Sequence, residues 1–205
     1  MQLYFSPGAC SFVPHVALEA AKAEFEPKLV KLHRGEQRTP EYLALNPNAQ
    51  VPVLVVEGKP LTQIVAICDF LDRRFPDAAF LPRDAWERAQ ALSQLAWMNS
   101  TPHTTMTRFF FPERFAESEA ARMEVKQRAA RDFRGHLERM QETIGQMRGA
   151  FHDAYAFTLL RWGGFAGIDP AALPALKGRV EKAIETQPFK AALARERIAL
   201  DTYKG

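Results

Sequence analysis

Leu3-Tyr4-Phe5-Ser6-Pro7-Gly8-Ala9-Cys10-Ser11 opens the chain with a strand, a tight turn and the start of a helix. Leu3 to Phe5 has strand character, and Ser6-Pro7-Gly8 stops it. Ser11 to Lys22 reads as a helix, with Val16, Leu18, Ala20 and Ala21 available for a buried face. Further along, Phe25 to Leu32 reads as a second strand, and Tyr42, Leu43 and Leu45 as a helical turn closed by Asn46-Pro47. Val51 to Val56 is a third strand, with Glu57-Gly58-Lys59-Pro60 as its turn and Leu61-Thr62 as the stub of a fourth. Gln63 to Phe75 places Ile64, Ile67, Cys68, Leu71 and Phe75 at helical spacing. Strand, helix, strand, turn, strand, strand, helix is the order of a small α/β unit.

Pro76 to Pro82 breaks this pattern, and everything after it is helical in character. Asp84 is an N-cap before Trp86, and helical periodicity runs to about Phe115 with a kink at Pro102. Val125, Ala129, Phe133, Leu137, Met140 and Ile144 mark another long helix. Asp153 to Trp162 reads as a buried helix, and Leu173 to Ile184 and Phe189 to Ile198 finish the chain. The domains are drawn at 1–76 and 86–205, with a linker at 77–85.

Composition narrows the function. Of 205 residues, 47% are apolar and 25% charged, which suits a folded globular protein. The net charge is only +3, with 27 basic residues mixed among 24 acidic ones, so no basic face for nucleic acid is expected. No apolar run reaches the roughly 18 residues of a membrane span, and no signal peptide is read at the start. Two cysteines do not make a disulfide framework, so a reduced, cytoplasmic protein is expected. There is no Cys-x-x-Cys, no His-Glu-x-x-His and no glycine-rich phosphate loop, so neither a metal nor a nucleotide is expected.

Cys10 lies where backbone N–H groups are unpaired and the helix dipole favours a negative charge. Lowering a thiol pKa from ~8.5 to ~6.5 would raise its thiolate fraction at pH 7 roughly 25-fold. The alternative is a small residue packing the first turn. Cys68, on an apolar helix face, reads as structural. Val51-Pro52 is unusual inside a strand pattern. It marks either an ordinary proline starting an edge strand or a cis bond that frees Val51's backbone groups for an extended ligand.

Taken in order, Ser6-Pro7-Gly8-Ala9-Cys10-Ser11, Pro14-His15, Asn46-Pro47, Gln50-Val51-Pro52-Val53-Leu54, Leu61-Thr62-Gln63 and Ala66-Ile67 resemble the bacterial glutathione S-transferases, in particular their beta-class-like group with a cysteine at this point. The resemblance continues through Trp97, Ser100-Thr101-Pro102-His103, Pro112-Glu113-Arg114-Phe115 and Asp153-Ala154-Tyr155-Ala156-Phe157 to Arg161-Trp162, nearly the whole chain. It implies a thioredoxin-like domain followed by an all-α domain, with glutathione in the cleft between them. It also implies a homodimer and a role in detoxification of small electrophiles. Cys10 would face the glutathione sulfur, and His103 would approach it from the helical domain. Val51, with Pro52 cis, would pair with the cysteinyl unit. Gln63 and Ile64 would sit at the γ-glutamyl end, and Arg34 near the glycyl end. Glutathione carries two carboxylates and an ammonium, which a helix N-terminus, an arginine and a glutamine amide can meet.

Each of these side chains also has a plainer reading: Arg34 as a solvated surface residue, His103 as a structural histidine. His15 reads as a packing or hydrogen-bonding residue, and His33, His136 and His152 as surface or structural. Trp97, Phe109, Phe110 and Phe111 would line a pocket for a second substrate, or pack the core. Two positions depart from the family pattern. Ile64 replaces the serine or other small residue usual at the γ-glutamyl site; a lost charge-assisted hydrogen bond costs ~1.5–3 kcal/mol, and a branched side chain is expected to crowd the site. Ala150 stands where the family caps the buried helix with serine or threonine, a loss of ~1 kcal/mol, and the loop from Gln146 to Asp153 is shorter. The resemblance implies a transferase acting through glutathione's thiol, or thiol–disulfide or peroxide reduction through Cys10. The alternative is a non-catalytic glutathione-binding or protein-interaction module on the same fold.

Overall fold

The computed structural model describes residues 1–199; positions 200–205, the end of the expected helical domain, lie outside the described residues. The N-terminal unit is a four-stranded mixed sheet in the order β2-β1-β3-β4. Its strands are β1 (Gln2–Phe5), β2 (Glu26–Leu29), β3 (Val53–Val56) and β4 (Lys59–Thr62). β1 pairs parallel with β2, which requires a crossover, and α1 (Phe12–Ala20) supplies it. The β1–β3 and β3–β4 pairs are antiparallel. α2 (Pro40–Leu45) and α3 (Ile64–Arg74) complete this α/β unit, a thioredoxin-like arrangement.

Boundaries differ from the sequence reading: α1 ends at Ala20 and not Lys22, β2 ends at Leu29 and not Leu32, and the hairpin and third strand shift as well. The hairpin turn is only Glu57-Gly58, both at positive φ (51° and 76°), so Lys59 and Pro60 belong to β4. β4 is an edge strand, where a proline without an N–H is tolerated. The third strand starts at Val53, because Val51-Pro52, a cis bond, stands outside the ladder.

The second unit is helical: α4 (Ala85–Ser100), α5 (Pro102–Phe110), α6 (Glu119–Thr143), α7 (Ala150–Phe165), α8 (Pro174–Ile184) and α9 (Gln187–Glu196). Asp84 caps α4, accepting from Trp86 N and Glu87 N at 3.0 and 2.9 Å. Pro102 does not kink one helix but starts another. Thr101 breaks the run at φ −117°, ψ −75°, and Pro102 takes the first helical position, where its missing N–H costs nothing.

α1 and α7 are buried on nearly every side, as helices apolar all round must be. Phe12 of α1 packs against Phe157 of α7 and Phe189 of α9, ring centroids 4.8 and 5.6 Å away, so one core spans both units. Polar ties reinforce it. Asp72 of α3 accepts from Leu81 N at 2.9 Å, and Arg88 of α4 bridges Asp72 and Asp69.

The missing cap at Ala150 is resolved differently from expectation. α7 begins at Ala150, and Gly149, at φ 89°, precedes it with no side-chain acceptor. Gly149 is required there, since a Cβ would meet Phe80 O at 2.6 Å. Asp153 remains in the first turn, where its charge suits the helix dipole, and Arg179 Nε donates to it at 2.6 Å. Arg179 Nη1 donates in turn to Ile144 O at 2.7 Å, tying down the short loop.

Candidate functional site at one end of the sheet

The register brings four segments to one end of the sheet. Tyr4 and Thr62 both face Val53, and Phe5 faces Leu29. The turn 6–11 after β1, the segment after β2 that reaches Arg34, Val51-Pro52 before β3, and Gln63-Ile64 after β4 therefore all leave the sheet at the same end.

The turn 6–11 is held by both of its backbone faces. Ser11 Oγ accepts from Ser6 N at 3.1 Å and reaches Ser6 O at 3.2 Å. Gly8 N donates to Glu196 Oε2 at 2.9 Å, while Gly8 O accepts from Trp162 Nε1 at 3.1 Å. Gly8 sits at φ 68°, where an L side chain is strained, and a Cβ on it would lie 2.6 Å from Arg161 Nη1 and push that guanidinium aside. Glu196 is buried, which pushes its carboxyl above the usual range, and its other oxygen lies 2.8 Å from His15 Nδ1. His15 is thus a buried hydrogen-bonding residue.

Cys10 corrects the expectation of an acidified thiol. Its side chain is 6% exposed, and burial pushes the thiol up to about 12. Hydrogen bonds from the Cys10 and Ser11 backbone act in the opposite direction, as the helix-start argument requires, but desolvation outweighs them. The protonated thiol donates to Val51 O at 3.4 Å. Cys68 is also buried and unpaired, its thiol pushed up for the same reason.

Val51 is buried, and the carbonyl before it is fixed twice: Gln50 O accepts from Tyr42 Oη at 2.7 Å and from Asn46 Nδ2 at 2.8 Å. Gln63 is exposed and sits at φ 71°, ψ 120°, a region a non-glycine residue rarely occupies. Strain of this kind concentrates at sites of function. Ile64 corrects a second expectation. Its side chain is 4% exposed and belongs to the main core, so it does not crowd the site, and its backbone still opens α3. Arg34 stands exposed at the end of the turn Leu32–Arg34, and no hydrogen bond or ion pair among the described residues joins its side chain to the other candidates.

His103 lies in the first turn of α5. Tyr155 Oη donates to Asn99 Oδ1 at 3.0 Å, so its oxygen accepts the His103 Nδ1 proton at 2.7 Å. Nε2 is then left as the lone-pair nitrogen. Burial pulls the imidazole down to about 4, so the ring is neutral near pH 7. It packs edge-on against Trp162, centroids 5.0 Å apart. Trp162 in turn holds Gly8 O, which links His103 to the turn carrying Cys10.

The family model for the glutathione S-transferase N-terminal domain matches residues 1–73. A glutathione S-transferase of Xanthomonas campestris is 31% identical, over 96% of this chain and 98% of its own. The chain belongs to the glutathione S-transferase family. A glutathione transferase homolog from Sulfitobacter, solved with bound glutathione, superposes with a TM-score of 0.90 at 25% identity, covering 95% of this chain and 97% of its own. A beta-class glutathione S-transferase from Sphingomonas chungbukensis does so with a TM-score of 0.84 at 31% identity, over 97% of this chain and 100% of its own.

In this glutathione S-transferase the four apolar candidates divide. Phe110 contacts Trp162, centroids 5.8 Å apart, on the side of His103, and Phe111 neighbours Phe110. Trp97 instead meets His136 and Arg139, and Phe109 meets Lys126, so both face α6. Sequence reasoning assigned no role to Asn99, Tyr42 or Glu196. A buried carboxylate at the end of α9 has no local motif; its partners are Gly8 and His15, near the start of the chain.

Among the described residues no group of three or more His, Cys, Asp or Glu gathers as a metal site, and no helix is long and apolar enough to cross a membrane.

Proposed function

We propose that the protein conjugates glutathione to small electrophiles, with His103 as the base on the glutathione sulfur and the Cys10 thiol exchanging its bond to Val51 O for donation to that sulfur. The observation that carries this is the His103–Tyr155–Asn99 chain, which leaves a neutral imidazole with Nε2 free to accept a proton. Glutathione lies across the common end of the strands. The N–H groups opening α3 at Ile64 meet its γ-glutamyl carboxylate, and the Gln63 amide accepts from its ammonium. Val51's backbone pairs with the cysteinyl unit, and Arg34 meets the glycyl carboxylate.

As the sulfur attacks, its proton passes to His103 Nε2, the S–C bond forms, and the leaving group departs with its electron pair. The thiolate charge beside the ring offsets the burial that otherwise keeps His103 neutral. Tyr155 supports the resulting imidazolium by accepting at Nδ1. Cys10, buried and with its thiol at about 12, suits donation better than nucleophilic exchange, so conjugation is favoured over a mixed-disulfide route. A cytoplasmic detoxifying homodimer is part of the same reading, and the two unpaired cysteines suit a reducing compartment.

Calorimetric titration with reduced glutathione, followed by turnover of an aryl halide, tests it. Binding with turnover is expected. Binding without turnover would leave a carrier, and neither would leave a protein-interaction module.

A further inference from the structure

Arg161 is the group that the site described so far leaves unexplained. Its guanidinium lies against the Gly8 backbone, with Nη1 3.4 Å from Gly8 O. Its Nε is buried without a hydrogen-bond partner, and burial pulls the guanidinium below its usual range. Among the described residues no carboxylate lies within ion-pair distance of it. Glu196, the acid whose charge it feels, is committed to Gly8 and His15. A half-buried arginine without an anion is costly, and that cost is relieved by a ligand that brings one.

The surroundings state what kind of ligand. Arg161 Cζ stands 5.1 Å over the ring of Phe165, which is 54% exposed. Phe165 meets Phe110, 37% exposed, at 5.8 Å; Phe110 meets Trp162 at 5.8 Å; Trp162 meets His103 at 5.0 Å. Phe110 and Phe165 therefore form an exposed aromatic pair beside the unpaired cation, backed by the buried Trp162 that packs on His103. Binding sites pair aromatic lining with a few placed polar groups, which is the combination Phe110, Phe165 and Arg161 present.

We propose that the second substrate is an aromatic electrophile carrying an anionic substituent, its ring on Phe110 and Phe165 and its carboxylate or sulfonate on Arg161. The inference rests on the glutathione-transfer reading above. For an aryl chloride the reaction balances simply: the glutathione sulfur bonds to the ring carbon, chloride leaves with the electron pair of the C–Cl bond, and His103 receives the thiol proton.

The test compares a neutral chloronitrobenzene with the corresponding chloronitrobenzoate, each rate divided by its uncatalysed rate with free glutathione. The wild-type protein is expected to favour the benzoate, and benzoate to inhibit competitively against the aryl substrate where benzamide does not. In Arg161→Gln the ratio of kcat/KM for benzoate over neutral substrate should fall roughly ten- to hundredfold, whatever loss is common to both, and Arg161→Lys should restore part of it. An unchanged ratio, equal inhibition by benzoate and benzamide, or a change confined to KM for glutathione would overturn the proposal. The benzoate and benzamide comparison uses only the wild type, so it decides even if the variants do not fold. Failure to turn over either substrate would instead count against glutathione transfer itself.

Discussion

The amide of Gly8 donates to the buried carboxylate of Glu196 at 2.9 Å, joining residues 188 positions apart in sequence. α9 thereby holds the first turn, and with it Cys10. Replacing Glu196 by Ala strands the Gly8 N–H and His15 without an acceptor in the core. A loss of about 2–4 kcal/mol is expected in urea unfolding, with Glu196→Gln milder because it keeps an acceptor.

Cys10 should be a poor nucleophile. With its thiol at about 12, alkylation by iodoacetamide at neutral pH should run at least ~1000-fold slower in the native protein than for a free cysteine of pKa ~8.5. Oxidised glutathione should form no stoichiometric adduct on Cys10 in that time. Intact mass with a tryptic map reads both, and rapid adduct formation would show an acidic, accessible thiol.

His103 sets a pH signature. Burial lowers its pKa from 6.5 to about 4, so the neutral form dominates throughout the range above 4. The acid limb of kcat/KM for glutathione should therefore be missing at 6.5 and appear only toward 4. Stability follows the same sign. The contribution of the neutral buried ring is complete above 6.5, and is lost as pH falls toward 4, because the unfolded chain takes up the proton first. His103→Gln should flatten that slope in unfolding experiments across pH 4–6.5.

Gly149 lets the start of α7 pack against the Phe80 carbonyl of the linker. Gly149→Ala places a Cβ 2.6 Å from the Phe80 carbonyl at a φ of 89° that alanine resists. A destabilisation of about 2–4 kcal/mol is expected by thermal or urea unfolding. Ala150→Ser should change stability little, since Ala150 is the first helical residue and not the one before the helix.

Much of this was legible in the sequence because it is local. Pro-Gly after Leu3-Tyr4-Phe5 marks a strand end, and the apolar spacing from Ile64 to Phe75 marks a helix. Boundaries moved where one residue tips the balance, as at Pro102, which starts a helix instead of bending one. At Cys10 the helix start is visible in the sequence while the burial that raises its thiol is not, and burial dominates. Ile64 looked obstructive only while its side-chain direction was unknown. The roles of Glu196, Asn99 and Arg161 depend on partners far away in the chain, which no local pattern displays.

The central claim is that His103, and not the Cys10 thiol, activates the glutathione sulfur. Steady-state conjugation of an aryl halide by the wild-type protein, Cys10→Ser and His103→Gln measures this side by side. Cys10→Ser, which retains a donor, should keep kcat within about tenfold, while His103→Gln should lose roughly 10²–10⁴-fold. Loss of activity in Cys10→Ser with His103→Gln near wild type would contradict the account.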